Sequence, residues 1–200
     1  MKRLLLIVLP LLLSVGLSQQ EYDLNSIVKK NGVYIQKYGE EVVSGKVFQM
    51  VGDMKIPLGK MKNGKKNGKW TEWYKNGQKK EEGTYKDGKE DGLWTGWYEN
   101  GQKGFEWNYK DGILDGLWIE WYKNGQKEKE ENYKDGNQVG LWTWWYENGQ
   151  KETEVNFKDG VYDGLWTEWY DNGQKMYEYI YKDGILISEK EWKYDGSVRE

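Results

Sequence analysis

Large aromatic side chains recur at a fixed interval along most of this chain, and short polar segments that contain glycine separate them. One series of tryptophans keeps a spacing of 24 residues, at Trp70, Trp94, Trp118, Trp142 and Trp166. A second series lies three residues further on, and a tyrosine follows each of its members. These ten residues are Trp73, Trp97, Trp121, Trp145 and Trp169, with Tyr74, Tyr98, Tyr122, Tyr146 and Tyr170. Such self-similarity predicts a protein built from tandem repeats.

Each repeat contains two segments rich in residues that favour β-strands. In the second copy they cover residues 93–98 and 102–109, with Asn100-Gly101 between them and Asp111-Gly112 after them. Asn-Gly and Asp-Gly between such segments are strong hairpin signals, because both residue types tolerate positive φ in tight turns. The pattern therefore predicts an all-β fold, an elongated single-layer antiparallel β-meander of tandem 24-residue hairpins.

The length of the Asn-Gly turn decides which side chains share a face, and the sequence leaves two registers open. A two-residue turn places Trp94 opposite Trp107 and puts Tyr98 on the same face. A three-residue turn with a glycine bulge instead groups Leu93 and Trp97 with Trp107. In both registers, aromatic side chains emerge on each face of the sheet unless a further bulge intervenes.

The repeats divide the chain into four regions. Residues 63–182 form the five repeats, and residues 183–200 form a partial C-terminal copy. Residues 19–62 hold a lead-in hairpin and a degenerate first repeat that keeps some glycines but lacks the rings. We expect segments 32–35 and 41–43 to pair as a hairpin that covers the first edge of the sheet, because terminal copies of repeat proteins often diverge into caps.

The N-terminus has the pattern of a signal peptide. Lys2 and Arg3 precede an apolar run over residues 4–13, and small residues follow up to Ser18. The run is too short to span a bilayer as a helix. We expect residues 1–18 to be removed after Ser18 and the protein to be exported to the periplasm, the outer surface or the medium. An uncleaved N-terminal anchor is the alternative.

Composition narrows the possible functions. The chain has 13 Trp, 16 Tyr and 26 Gly but no Cys and no His, which excludes thiol nucleophiles, His-based triads and zinc clusters. Its net charge of -3 comes from finely interspersed acidic and basic residues, so no basic stripe is available for nucleic acid. The sequence indicates a protein that is not an enzyme and needs no cofactor, and a mature chain that does not span a membrane.

The repeat unit resembles the MORN (membrane occupation and recognition nexus) repeat. The residues that carry the resemblance are the motif Asp-Gly-Leu-Trp-Thr-x-Trp-Tyr-x-Asn-Gly-Gln-Lys over 91–103 and Tyr-Lys-Asp-Gly over 109–112, together with their repetition. The match is to the longer bacterial variant typical of YwqK-family antitoxins, and it covers residues 30–200. The resemblance implies an open antiparallel sheet used for protein or lipid contact, and the antitoxin name implies neutralisation of a toxin by binding.

Three recurring residue patterns are candidate sites. The ten Trp-Tyr residues of the second series are the candidate binding residues, although rings in every copy are also the only large core that the chain offers. Asp-Gly-x-x-Asp-Gly loops could offer oxygens to Ca²⁺, but Val139 replaces the second Asp in the fourth copy, and we predict no metal site. A glutamate that recurs every 24 residues is expected to pair with the turn lysines rather than to catalyse. These pairs are Lys79 with Glu82, Lys103 with Glu106, Lys127 with Glu130, Lys151 with Glu154, and Lys175 with Glu178.

The leading functional hypothesis is an exported, non-catalytic scaffold that recognises a protein partner through an extended aromatic and charged sheet surface. One alternative is an antitoxin-type neutraliser of a partner toxin. Another is a cell-surface glycan or lipid binder that uses exposed tryptophan rings, because flat ring faces suit sugars and quaternary ammonium groups.

Overall fold

A computed structural model describes residues 20–199, and nearly all of their regular structure is β. The predicted signal peptide lies outside the described residues. Within residues 20–199 no helix has the length and apolar character needed to cross a bilayer. The first part of the chain forms β1 (Glu21–Asp23), a 3-10 turn (Leu24–Ser26), β2 (Ile27–Lys30), β3 (Val33–Gln36), β4 (Gly45–Val51) and β5 (Met54–Lys62).

The repeats supply the remaining strands, two long ones for each copy. The first repeats form β6 (Lys65–Trp73), β7 (Lys79–Lys86), β8 (Lys89–Glu90), β9 (Gly92–Trp97), β10 (Lys103–Lys110), β11 (Ile113–Trp121) and β12 (Lys127–Lys134). The later ones form β13 (Asn137–Gln138), β14 (Gly140–Trp145), β15 (Lys151–Lys158), β16 (Val161–Trp169), β17 (Lys175–Lys182) and β18 (Ile185–Glu191).

From β4 to β18 the long strands follow one another in a single sheet, and each pairs antiparallel with the next. The short strands β8 and β13 lie off this path and pair with β7 and β12, just before β9 and β14 in the chain. The predicted all-β meander of tandem hairpins is therefore confirmed. Within the repeats, packing contacts run between long strands that follow one another in the sequence, as a one-dimensional repeat array requires.

The two kinds of turn differ in length. At Asp87-Gly88 both residues have positive φ, +51° and +86°, and the flanking Lys86 and Lys89 pair directly. This is a two-residue turn of type I′ geometry. At the Asn-Gly position only the glycine has positive φ, and the N–H of Gly101 donates to the carbonyl oxygen of Tyr98 (2.9 Å). The loop is therefore a three-residue turn that ends in a glycine.

A bulge reconciles the two registers that the sequence left open. Beyond the three-residue turn, Lys103 pairs with Trp97 but Phe105 pairs with Gly96, so that one residue is skipped in β10. The skip restores the pairing of Trp94 with Trp107 that a two-residue turn would have given. A shift at the equivalent position occurs in the other four repeats. The turn therefore has three residues, but Trp94 and Trp107 share a face, as a two-residue turn would have placed them.

The N-terminal edge of the sheet differs from the expectation. β1 covers this edge by pairing parallel with β4, Glu21 with Lys46 and Tyr22 with Val47. The lead-in hairpin exists, but it is formed by β2 with β3, and segment 41–43 adds only a bridge between Ile35 and Val42. Segments 32–35 and 41–43 therefore do pair, since the N–H of Val43 also donates to the carbonyl oxygen of Tyr34 and the N–H of Gln36 to that of Glu41, both at 3.0 Å. Their prediction as the cap of the sheet edge was wrong, because β1, which is distant in sequence, covers the edge of β4.

The main buried cluster lies at this end of the sheet. Its members are Tyr22, Ile27, Val43, Val47, Leu58, Met61 and Trp70. A second buried cluster lies near the other end and contains Trp142, Val155 and Phe157. The sheet ends with the partial copy. There the N–H of Gly196 donates to the carbonyl oxygen of Lys193, as in the Asn-Gly turns.

Candidate binding surface

The two tryptophan series lie on opposite faces of the sheet. Side chains alternate along a strand, so residues three apart in an unbroken strand point to opposite sides. We call the side that carries Trp70, Trp94, Trp118, Trp142 and Trp166 the ring face. The side that carries Trp73, Trp97, Trp121, Trp145 and Trp169 is the lysine face, for the lysines that lie over its rings.

On the ring face, rings contact one another across the strands. Trp107 stacks on Phe105 with 3.8 Å between ring centroids, and on Trp118 with 4.4 Å. Trp94 and Trp142 are only 6% and 4% exposed. Aromatic pairs at these distances stabilise beyond their buried area. The ring face is therefore the core of the repeats.

Small residues make room for this packing in the first repeats. A Cβ atom added to Gly83 would lie 2.2 Å from the ring of Trp94, and one added to Gly96 would lie 2.0 Å from the ring of Phe105. These rings lie directly on the backbone of the neighbouring strand. In later repeats the position of Gly83 is taken by Trp107, Glu131, Val155 and Tyr179.

The ring face also desolvates the charged groups that lie among its rings. Glu131 is buried opposite Trp118, and it accepts a hydrogen bond from the hydroxyl of Tyr133 (3.0 Å). Burial raises the pKa of the Glu131 carboxyl. Burial likewise lowers the pKa of Lys66, whose ammonium lies 4.5 Å from the ring centre of Trp70. In both groups the main cause is desolvation by neighbouring rings.

The five tyrosines of the predicted binding series link consecutive repeats. Each hydroxyl donates to the carbonyl oxygen of the tryptophan of the Trp-Tyr pair in the next copy, or of Trp192 in the partial copy, at 2.6–3.1 Å. The donors are Tyr74, Tyr98, Tyr122, Tyr146 and Tyr170. All five side chains are partly buried. Their hydroxyls therefore hold the sheet together, and only the ring surfaces are left for a ligand.

The five tryptophans of the same series lie on the lysine face and are partly buried. The ammonium of Lys79 lies 5.6 Å from the ring centre of Trp97, in the next repeat, and Lys103 lies 5.7 Å from that of Trp121. The arrangement recurs for Trp145, Trp169 and Trp192. Lysine and tryptophan thus alternate in a continuous row across the sheet, held by cation–π contacts.

The same lysines pair with the recurring glutamates, as the sequence predicted. Lys79 lies 2.8 Å from Glu82, and the other four copies repeat this pair three residues apart. Burial raises the pKa of Glu82, but hydrogen bonds from Lys69, Lys79 and Thr71 outweigh burial and leave it below its ordinary value. The lysines beside Glu82 therefore favour its ionised form.

Two further rows complete the lysine face. The central row follows directly from the strand pairing: Thr71, Glu82, Thr95, Glu106, Ile119, Glu130, Thr143, Glu154, Thr167 and Glu178. Beside it lies a row in which leucines alternate with asparagines, and we call it the leucine row. Its members Leu93, Leu141 and Leu165 are 44–51% exposed. Leucine recurs there every 24 residues, and this spacing is a signal in the sequence from which the row could have been predicted.

In three of the Asp-Gly-x-x-Asp-Gly loops, the carboxylate of the second aspartate accepts a hydrogen bond from a backbone N–H. Asp91, Asp115 and Asp163 accept the N–H of Asp111, Asp135 and Asp183, at 3.4, 3.1 and 3.1 Å. Among residues 20–199 no group of three or more acidic side chains is arranged to hold a metal ion. These aspartates therefore join neighbouring turns of the sheet.

Comparison with known families assigns the repeat type. The MORN repeat variant matches five segments, residues 66–87, 90–111, 114–135, 138–159 and 162–183. Together the segments cover just over half of the chain, and each spans one hairpin of the sheet. No curated protein matches this chain. The match confirms the predicted repeat and leaves the antitoxin-like assignment a hypothesis.

Proposed function

The chain belongs to the MORN repeat variant family, and from this premise we propose that it is a non-catalytic scaffold that recognises a protein partner through its lysine face. The single observation that carries the proposal is the set of three continuous rows on this face. Tryptophan–lysine and threonine–glutamate rows run side by side from β6 to β17, and the leucine row, with its alternating asparagines, lies beside them from β9 to β16. The opposite face is occupied by its own rings.

The composition of these rows suits a protein surface. Protein interfaces combine apolar side chains with a polar rim, and tryptophan is frequent among the residues that dominate binding. The exposed leucines alternate with asparagines, so a protein partner can bury apolar side chains and meet polar groups along the same row. A toxin is one kind of protein that could be bound in this way, so the antitoxin hypothesis is a special case of the proposal.

The geometry of the rings favours a protein over a glycan. A sugar stacks on a free ring face, but the rings of Trp97, Trp121, Trp145 and Trp169 each have a lysine ammonium 5.6–5.7 Å from the ring centre. Displacing this lysine would cost its contact with the ring and disturb its pair with glutamate. A partner with carboxylates and apolar side chains can instead use lysine, ring and leucine together.

The proposal is tested by capture with matched variants. The double variant Leu141→Glu, Leu165→Glu places two charges in the leucine row, and we expect it to lose a partner that the native protein captures after cross-linking in the producing cells. The control is Met54→Glu, Tyr38→Glu, which adds the same charge at exposed positions outside the repeats. Equal capture by both variants would contradict the proposal, as would hydrolase activity with no specific partner.

Export is a separate part of the proposal and has its own test. The charged and apolar pattern of residues 1–18 motivates it. We expect the protein recovered from outside the cytoplasm to begin at Gln19, as measured by mass spectrometry of the intact chain. A chain that keeps Met1 and fractionates with the cytoplasm would rule out export.

A further inference from the structure

A groove of about 680 Å³ opens on the lysine face at the N-terminal end of the sheet, across β4, β5 and β6. Phe48, Pro57, Leu58 and Trp73 give it an apolar wall. Lysines from the same three strands line its rim. Sites for small molecules have volumes of this order and combine apolar walls with a few polar groups. β4 and β5 belong to the degenerate first repeat, for which the sequence predicted no site.

Trp73 differs from the later members of its series. The later rings each have a lysine of the preceding repeat over them, whereas among the described residues no lysine lies within cation–π distance of Trp73. The residue 24 positions before Lys79 is Lys55, and its ammonium lies over the ring of Phe48 (4.1 Å) and pairs with Glu21. The indole N–H of Trp73 donates to the carbonyl oxygen of Pro57 (3.1 Å). The ring of Trp73 is therefore fixed at the groove and has no lysine over it.

The rim concentrates positive charge. Lys46 and Lys60 are direct cross-strand partners on β4 and β5, and Lys69 lies on β6. Glu21 lies 3.9 Å from Lys46 but also pairs with Lys55, and Lys69 is paired with Glu82. Within residues 20–199 no carboxylate lies within ion-pair distance of Lys60. Like charges directly opposite each other destabilise a strand pair, so an anion between Lys46 and Lys60 would relieve this repulsion.

We propose that the groove binds a small organic anion with an apolar body. The anionic group lies between Lys46 and Lys60, and the apolar body lies against Pro57 and the ring of Trp73. The site shares Thr71 and Trp73 with the rows proposed to bind a protein, but Lys46 and Lys60 lie before the first full repeat, so variants of these lysines let the two proposals fail separately.

The test compares two amphiphiles that share a tail. Decanoate and decylammonium are titrated into the full chain by calorimetry, below the concentrations at which they form micelles. We expect decanoate to bind saturably at one site and decylammonium to bind at least roughly tenfold more weakly, since charge complementarity selects the partner. Equal affinities, or heat only when micelles or vesicles are present, would overturn the proposal.

Matched variants locate the site. Lys60→Glu is expected to weaken decanoate binding roughly tenfold or more, because it reverses the charge that faces the anion. Lys110→Glu makes the same change in net charge at an exposed lysine between β10 and its turn, and it should leave decanoate binding unchanged. Melting curves verify that both variants fold, and Lys60→Gln replaces Lys60→Glu if they do not match. Equal losses in both variants would place the anion elsewhere and overturn the proposal.

Discussion

Trp142 and Trp145 lie three residues apart in β14, yet the sheet gives them different surroundings. On the ring face, Trp142 contacts Tyr133 and Phe157 with 5.0 and 4.7 Å between ring centroids, and its indole N–H donates to the backbone of Asn132. On the lysine face, Trp145 is partly exposed under the ammonium of Lys127. The sheet thus packs its rings against one another on the ring face and places lysines over them on the lysine face. The same residue type supports the fold on one face and forms part of a surface on the other.

Replacing each of these two tryptophans by alanine in turn is expected to give the largest difference in the free energy of unfolding. We expect Trp142→Ala to lower the free energy of unfolding by about 3–5 kcal/mol, as for other large buried aromatic residues. Trp145→Ala should cost only about 1 kcal/mol, the usual size for a partly exposed position. Urea unfolding of both variants measures the difference. Similar losses would show that the two faces contribute equally to stability.

Adding a methyl group tests how closely the ring face is packed. Gly83→Ala would place a Cβ atom 2.2 Å from the ring of Trp94 and must displace it, so we expect a loss of about 1–3 kcal/mol. Gly104→Ala is the control, because its Cβ atom would meet Tyr98 at an ordinary contact distance of 3.5 Å. Thermal unfolding of both variants is the measurement. A neutral Gly83→Ala variant would mean that Trp94 can move without cost.

The fold could be predicted because its signals are local and repeated. The Asp-Gly and Asn-Gly pairs fix the turns, and the 24-residue spacing of the tryptophans reveals the hairpins. The bulge that follows each Asn-Gly turn could not be predicted. The skipped residue is Lys80, Gly104, Glu128, Glu152 or Met176, depending on the copy, so no common residue type marks it.

The surface was predicted only in part, because its contacts join residues of different repeats. The pairing of Lys79 with Glu82 could be inferred from three-residue spacing, and the structure confirms it. The contact of Lys79 with Trp97 depends on the stacking of one hairpin on the next, which spacing alone does not give. The parallel pairing of β1 with β4 was missed for the same reason, since nothing near Tyr22 marks Val47 as its partner.

Removing a tyrosine hydroxyl is expected to cost less stability than a change in the ring packing. Tyr122→Phe removes the hydrogen bond to the carbonyl oxygen of Trp145 (2.8 Å), and we expect a loss of about 0.5–1.5 kcal/mol. Tyr162→Phe is the control, because within the described chain the hydroxyl of Tyr162 has no hydrogen-bond partner. Hydrogen exchange at the Asn-Gly turns measures the local effect. If both variants behave alike, the tyrosines stabilise the repeats through their rings alone.

The smallest loss of stability is expected when a lysine of the lysine face is replaced. Lys127→Met keeps the aliphatic stem over Trp145 but removes the ammonium that pairs with Glu130. Exposed pairs stabilise by less than about 1 kcal/mol, and salt weakens them further. We therefore expect a small loss at low ionic strength that vanishes at high ionic strength, with Lys134→Met, at an exposed lysine outside the ion pairs, as the control. A loss as large as that of Trp142→Ala, or one independent of salt, would mean that the lysine row supports the fold. The row would then not be free to exchange its contacts for those of a partner, and the functional contrast between the two faces would fail.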